Sequence, residues 1–205
     1  MEIIKNQDFL LRRLHSLFGI IPLGVFIFEH FFINSFALIG PQSYNDKVAF
    51  LRSLPYLQLI EWGGIFIPLL IHIILGLIII YQGKPNLSRY KYSRNWMYVL
   101  QRYTALITLG FLTFHILSLR FYHNPDVIDF FSLLREIFKQ PGLAAIYIIG
   151  SGATIFHFCN GICTFLMSWG VTVTPHSQRV VSIFAILLGI VLFAVIINSV
   201  LSFLT

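Results

Sequence analysis

Five stretches of this chain are apolar over the thickness of a lipid bilayer: about 18–39, 60–81, 97–120, 143–168 and 180–204. A hydrocarbon core about 30 Å thick takes roughly 20 apolar residues per helix. Charge content points the same way. Only 11% of residues are charged and 57% are hydrophobic, whereas a soluble domain is about a quarter charged. Five spans and their loops use nearly all of the 205 residues, which leaves no room for a soluble catalytic domain. The expected fold is an all-α integral membrane protein of five transmembrane helices, with 1–205 as one domain.

The N-terminus does not read as a cleavable signal. Glu2, Asp8, Arg12 and Arg13 precede a run that is itself long enough to span. Cys159 and Cys163 lie one turn apart on one face of the fourth run. They are not a secreted disulfide framework, and two small buried thiols describes them better than a metal pair. Lysine and arginine set the orientation. Lys5, Arg12, Arg13, Lys84, Arg89, Lys91, Arg94, Arg102 and Arg179 fall on the N-terminal side; Lys47, Arg52, Arg120, Arg135 and Lys139 fall on the other, diluted by Asp46, Asp126, Asp129 and Glu136. The N-terminus is therefore expected in the cytoplasm and the C-terminus outside. The net charge of +6 reflects this bias. No aromatic-and-basic pattern or phosphate-binding glycine loop points to nucleic acid.

Four of the seven histidines lie well inside apolar runs: His30, His72, His115 and His157, one in each of the first four spans. A buried ionisable residue in a membrane is a functional candidate by default. For a single histidine, a neutral ring bonded to a neighbouring helix explains as much. For four in consecutive helices it explains less. Imidazole is the commonest metal ligand and needs no net charge. Depth groups the four. Counted from the outer ends of their spans, His30 and His115 lie roughly 10 Å deep, and His72 and His157 roughly 20 Å deep. Two pairs about 10 Å apart in level suit two haems with two axial histidines each. Zinc wants three or four ligands at one level. Gly76 and Gly161 stand one turn after His72 and His157 and offer space for a porphyrin, or simply close helix packing. Asn34 and Leu119 hold the equivalent places in the other pair, so the argument does not extend to it. Arg12, Arg13, His15, Ser16, Arg94 and Arg102 could meet haem propionates on the cytoplasmic side, though topology explains the arginines equally well. His15 sits at a helix start and needs no special account; His123 and His176 read as solvated loop residues.

The segments "RRLHSLFGIIPLGVFIFEH", "SLPYLQLIEWGGIFIPLLIHIILGL" and "YSRNWMYVLQRYTALITLGFLTFH" resemble the cytochrome b558 membrane anchors of Bacillus-type succinate dehydrogenases and the related fumarate reductases. The likeness is strongest from about Leu11 to His115. It implies a five-helix, di-haem bundle in a bacterial cytoplasmic (inner) membrane. It implies two haem b groups, one held by His72 and His157, the other by His30 and His115. The partners it implies are an iron–sulfur subunit and a flavoprotein that carries the succinate/fumarate site. Electrons would pass through both haems to or from a quinone, commonly menaquinone, near the outer haem. Glu29, beside His30, departs from the neutral residue expected there; it could face the cavity and move protons, or lie near the outer face. Two other readings compete: the cytochrome b subunit of another respiratory complex, of formate dehydrogenase or hydrogenase type, and a non-haem metal transporter.

Two further expectations concern the edges of the bundle. Glu61 begins the second span about 16 Å outward of His72 and is the best candidate for a proton-exchanging group at an external quinone site; a solvated carboxylate at a helix start explains it equally well. Trp62 could face a quinone ring, or serve as a belt anchor. Arg12, Arg13 and the Lys84–Arg94 loop could seat the iron–sulfur protein, or only meet anionic lipid.

Overall fold

The structure, a computed structural model, describes residues 2–121 and 129–204, with side chains described for 9–120 and 129–204. His123 and Asp126 lie outside the described residues. Among those described, the α-helices are α1 (Glu2–Ile20), α2 (Pro22–Ser35), α3 (Pro41–Arg52), α4 (Leu57–Ile60), α5 (Ile67–Gln82), α6 (Ser93–Ile116), α7 (Phe130–Phe138), α8 (Pro141–Ser168) and α9 (Pro175–Leu204). Five helical rods are long and apolar enough to cross a membrane: Phe9–Leu38, Leu57–Gln82, Ser93–Arg120, Pro141–Ser168 and Pro175–Leu204.

Local chemistry sets the ends, and it moves several of them outward from the sequence reading. α8 and α9 open on prolines, whose missing N–H costs nothing in a first turn. Ahead of α9, the Thr174 hydroxyl accepts from the Ser177 amide at 3.1 Å, and the Thr174 amide donates back to the Ser177 hydroxyl at 3.2 Å. This reciprocal cap starts the helix at Pro175 rather than 180. Gly170, at φ +73°, ends α8: the Val171 amide reaches Leu166 O at 2.9 Å and the Gly170 amide reaches Met167 O at 3.1 Å. The first rod starts well before Phe18, and its helix is interrupted at Ile21, ahead of Pro22, which has no N–H to offer the preceding turn.

α1 packs on α5 and α8, α8 on α6 and α9, and α2 on α9. α5 and α6 are consecutive spans yet are not a packed pair; the space between them belongs to the cavity described below. Close approach depends on small residues. Phe111 of α6 lies against Gly150 of α8, where a Cβ would fall 2.2 Å from the ring. Outward, Val25, Phe32, Leu70 and Ile186 are exposed, as a surface solvated by lipid tails requires.

The loops at the far end, opposite the N-terminus, are not bare. α3 and α7 close over that end. Tyr44, Phe131 and Phe138 pack on Phe203 of α9 at ring distances of 5.1, 4.8 and 5.4 Å. Asn45 clasps the two helices: its amide donates to Asp129 at 2.6 Å, and its oxygen accepts from the Phe131 amide at 3.1 Å. Burial pushes the Asp129 pKa up, but hydrogen bonds from Ser132, Asn45 and Phe131 outweigh it and hold the carboxyl below its usual 3.8. A carboxyl lowered on folding stabilises fully above its usual value, and that contribution is lost as pH falls through the lowered one. Asp129→Asn should therefore flatten the fall in Tm between about pH 5 and pH 2. An unchanged slope in a detergent melting series would show that the clasp does not carry it.

Candidate cofactor site

One continuous cavity of about 530 Å³ runs through the bundle, from His15 and Ser16 to Arg52 and Arg120. His30, His72, His115 and His157 all line it. They meet in two pairs. The His72 and His157 rings have centroids 6.1 Å apart and planes at 82°. The His30 and His115 rings are 5.8 Å apart at 86°.

In the first pair both tautomers are fixed. His72 Nδ1 lies 2.8 Å from the His15 carbonyl, and His157 Nδ1 lies 3.1 Å from the Gln101 carbonyl. A carbonyl only accepts, so each Nδ1 carries its hydrogen and each Nε2 keeps its lone pair. Metal-binding histidines are held in this way by their outer partners. Gln101 also donates through its side chain to His157 O at 2.9 Å, and Asn160 donates to the Gln101 side-chain oxygen at 2.6 Å. α6 and α8 are thus tied by bonds running both ways at the level of His157. Gln101→Leu removes two of these bonds and leaves the Asn160 amide with Met97 O, at 3.3 Å, as its remaining acceptor. Bonds between helices in lipid are worth about 0.6–2 kcal/mol each, so the variant should lose several degrees of Tm while its main-chain bond to His157 persists.

The second pair is more enclosed. Phe111 and Tyr147 flank His115 at ring distances of 5.6 and 5.7 Å. His115 Nδ1 is buried with no hydrogen-bond partner among the described residues. Leaving a buried polar nitrogen unpaired costs about 1–3 kcal/mol, so this ring lacks the outer partner that fixes His72 and His157.

Level separation exceeds the sequence estimate. Gly19 of α1 lies opposite His72, and His30 stands eleven residues beyond Gly19. At 1.5 Å per residue the pairs are about 16 Å apart rather than 10. The shortfall came from counting inward from assumed span ends.

The donor set fits haem. Two imidazoles with centroids near 6 Å apart can share one metal between them, each nitrogen about 2 Å from it. Haem supplies its own equatorial nitrogens, so two protein ligands suffice. Among the described residues no three His, Cys, Asp or Glu side chains converge as a small metal ion would want. Gly76 and Gly161 both line the cavity, but Gly76 faces His15, whose Nε2 would be 3.0 Å from an added Cβ. Its space is taken by a histidine ring.

The other candidate residues divide. Glu61 lines the cavity at its far mouth and is ion-paired with Arg120 at 2.9 Å. Both stand in π-helical turns, Glu61–Phe66 and Leu117–Phe121, a form that recurs at functional sites. Trp62 is 59% exposed and packs on Phe66, so it fits a belt anchor. Glu29 does not line the cavity, and one of its oxygens is buried without a partner among the described residues. Of the residues considered for propionates, only His15 and Ser16 reach the cavity. Arg12 bonds Gln82, Arg13 bonds Ser168 O and lies over Trp169, Arg94 bonds Gln178, and Arg102 stacks on Tyr98. Cys159 and Cys163 pack toward α9, near Gly189 and Val181. His176 is exposed on the first turn of α9.

Sequence reasoning gave Gln101, Asn160 and Arg120 no place at the site, and read His15 only as a helix-start residue or a propionate partner. His15 is no ordinary helix-start residue: its ring stacks on His72 at 4.0 Å and 15°.

The model described as succinate dehydrogenase/fumarate reductase transmembrane subunit matches residues 80–196. The chain belongs to this family. The succinate dehydrogenase cytochrome b558 subunit of Bacillus subtilis (strain 168) is 41% identical over 175 residues, which covers 85% of this chain and 87% of that protein. Membership gives the cavity a context: the two facing histidine pairs stand between the spans of a transmembrane subunit.

Proposed function

We propose that this chain is the di-haem cytochrome b anchor of a succinate:quinone oxidoreductase, with His72 and His157 holding one haem b and His30 and His115 the other. The two facing ring pairs in one cavity carry the reading; the name of the Bacillus subtilis relative supports it. Haem bound there supplies a one-electron carrier. The residues hold the His72 and His157 imidazoles in one tautomer and space the two positions about 16 Å along the bundle. An iron–sulfur subunit docks at the N-terminal end, on the cytoplasmic side of the inner membrane, and a flavoprotein bound to it carries the succinate/fumarate site. The basic residues of the N-terminal end support that orientation. Purification of the intact complex tests the reading: two haem b per chain should come with two soluble subunits. A colourless chain, or one purified without partners, would contradict it.

Quinone, in this proposal menaquinone, binds at the far mouth beside Glu61 and Arg120. Quinone reduction takes up two protons as well as two electrons, and Glu61 is a carboxylate at the cavity's far, wet edge. Its ion pair with Arg120 gives it a partner that a departing or arriving proton must unsettle. In Glu61→Gln, quinone-linked turnover should drop at least tenfold, while both haems and succinate oxidation with a soluble acceptor persist. Normal quinone turnover would remove Glu61 from the site.

A further inference from the structure

"HSLFG" in α1 and "HIILG" in α5 share a pattern, a histidine four residues before a glycine. We propose that these two segments form a reciprocal clasp that fixes the orientation of His72, with His15 as its positioning residue. The proposal rests on His72 being an axial ligand.

The two helices cross so that each histidine lies on the other helix's glycine. A Cβ on Gly19 would fall 2.5 Å from His72 Cε1 and 2.9 Å from its Nδ1; a Cβ on Gly76 would fall 3.0 Å from His15 Nε2. Between the glycines the two rings lie flat on each other, centroids 4.0 Å apart and planes at 15°. The glycines do a specific job. Within α1 the His15 carbonyl accepts the amide of Gly19, four residues on. A carbonyl has a second lone pair, and His72 Nδ1 reaches it at 2.8 Å. Any side chain at residue 19 would stand in that approach. Gly19 therefore opens the carbonyl, the carbonyl fixes the His72 tautomer, and the His15 ring fixes the rotation of the His72 ring. Packing alone would not ask for this combination of ring, carbonyl and two bare faces.

The clasp belongs to α1 and α5 alone. His157 also stands four residues before a glycine, but Gly161 meets Gln101 and Ile20 only at ordinary contact distances of 3.7 and 3.8 Å, and Gln101 holds that ring. Asn34 and Leu119 occupy the equivalent places after His30 and His115.

The test uses the assembled complex in membranes and reads each haem separately, by low-spin resonance signals and by midpoint potential; the His30–His115 haem is the internal control. His15→Ala keeps the carbonyl and removes the stacked ring. It should shift the signals and potential of the His72–His157 haem and leave the other unchanged. His15→Phe restores a flat ring and should restore both readings. Gly19→Ala should shift them further or lose that haem alone. Unchanged signals in His15→Ala would overturn the proposal, as would His15→Phe behaving like His15→Ala. Loss of the same haem in both His15 variants would also overturn it, since that would make His15 a ligand. If Gly19→Ala does not assemble, the two His15 variants decide. Retention of both haems in His72→Ala would refute the ligand assignment instead, and so separates that failure from failure of the clasp.

Discussion

Alanine at His72 should leave the complex with one haem per chain instead of two. The component lost should be the one lost with His157→Ala, because the two rings face each other at 6.1 Å. The other component should keep its spectrum. His30 and His115 stand about 16 Å away, and sites so far apart act nearly independently. Reduced-minus-oxidised spectra and haem extraction from membranes measure both quantities. His72→Met retains a weaker donor; it should keep the haem with a changed potential, since axial ligand identity tunes potential. Loss of the second component in His72→Ala, with the first retained, would reverse the assignment of rings to sites.

Reversing Arg89, Lys91 and Arg94 together to glutamate should release the soluble subunits while the haem-bearing anchor stays inserted. All three side chains are exposed on the α5–α6 connection or the first turn of α6. Arg94 reaches Gln178 of α9 at 2.5 Å, so this patch spans two of the helix ends at the N-terminal end of the bundle. Charges at the rim of an interface mainly set the rate and salt dependence of association. Three reversals change the local charge by six units, enough for a loss of affinity of roughly a hundredfold or more. Washing membranes and measuring succinate dehydrogenation in the supernatant reads the release; haem absorbance left in the membrane shows that insertion survived. Soluble subunits that stay bound would mean that these charges serve only topology and anionic lipid.

The spans were legible because lipid imposes a length and a composition that few other environments demand. Up-and-down connectivity then grouped the histidines by depth, and the rings do meet in those groups. What the sequence hid depended on contacts between distant segments. His15 precedes the apolar run, so nothing local placed its ring against His72; that contact appears only when α5 lays His72 across Gly19. Arg120 and Glu61 are 59 residues apart and meet because two π-helical turns bring them to one mouth. α3 and α7 are too short to announce themselves as spans, and their apolar faces close on Phe203 at the other end of the chain. The level difference was underestimated for a simpler reason: the rods that carry His72 and His157 begin at Leu57 and Pro141, outward of the positions 60 and 143 from which depth was counted.

Haem content in paired substitutions tests the central claim most directly. The account predicts that His72→Ala combined with His157→Ala retains one haem per chain, and that His30→Ala combined with His115→Ala also retains one. Combining His72→Ala with His30→Ala should retain none. One haem surviving in that last variant, or none in either of the first two with the chain still assembled, would contradict the two-pair arrangement.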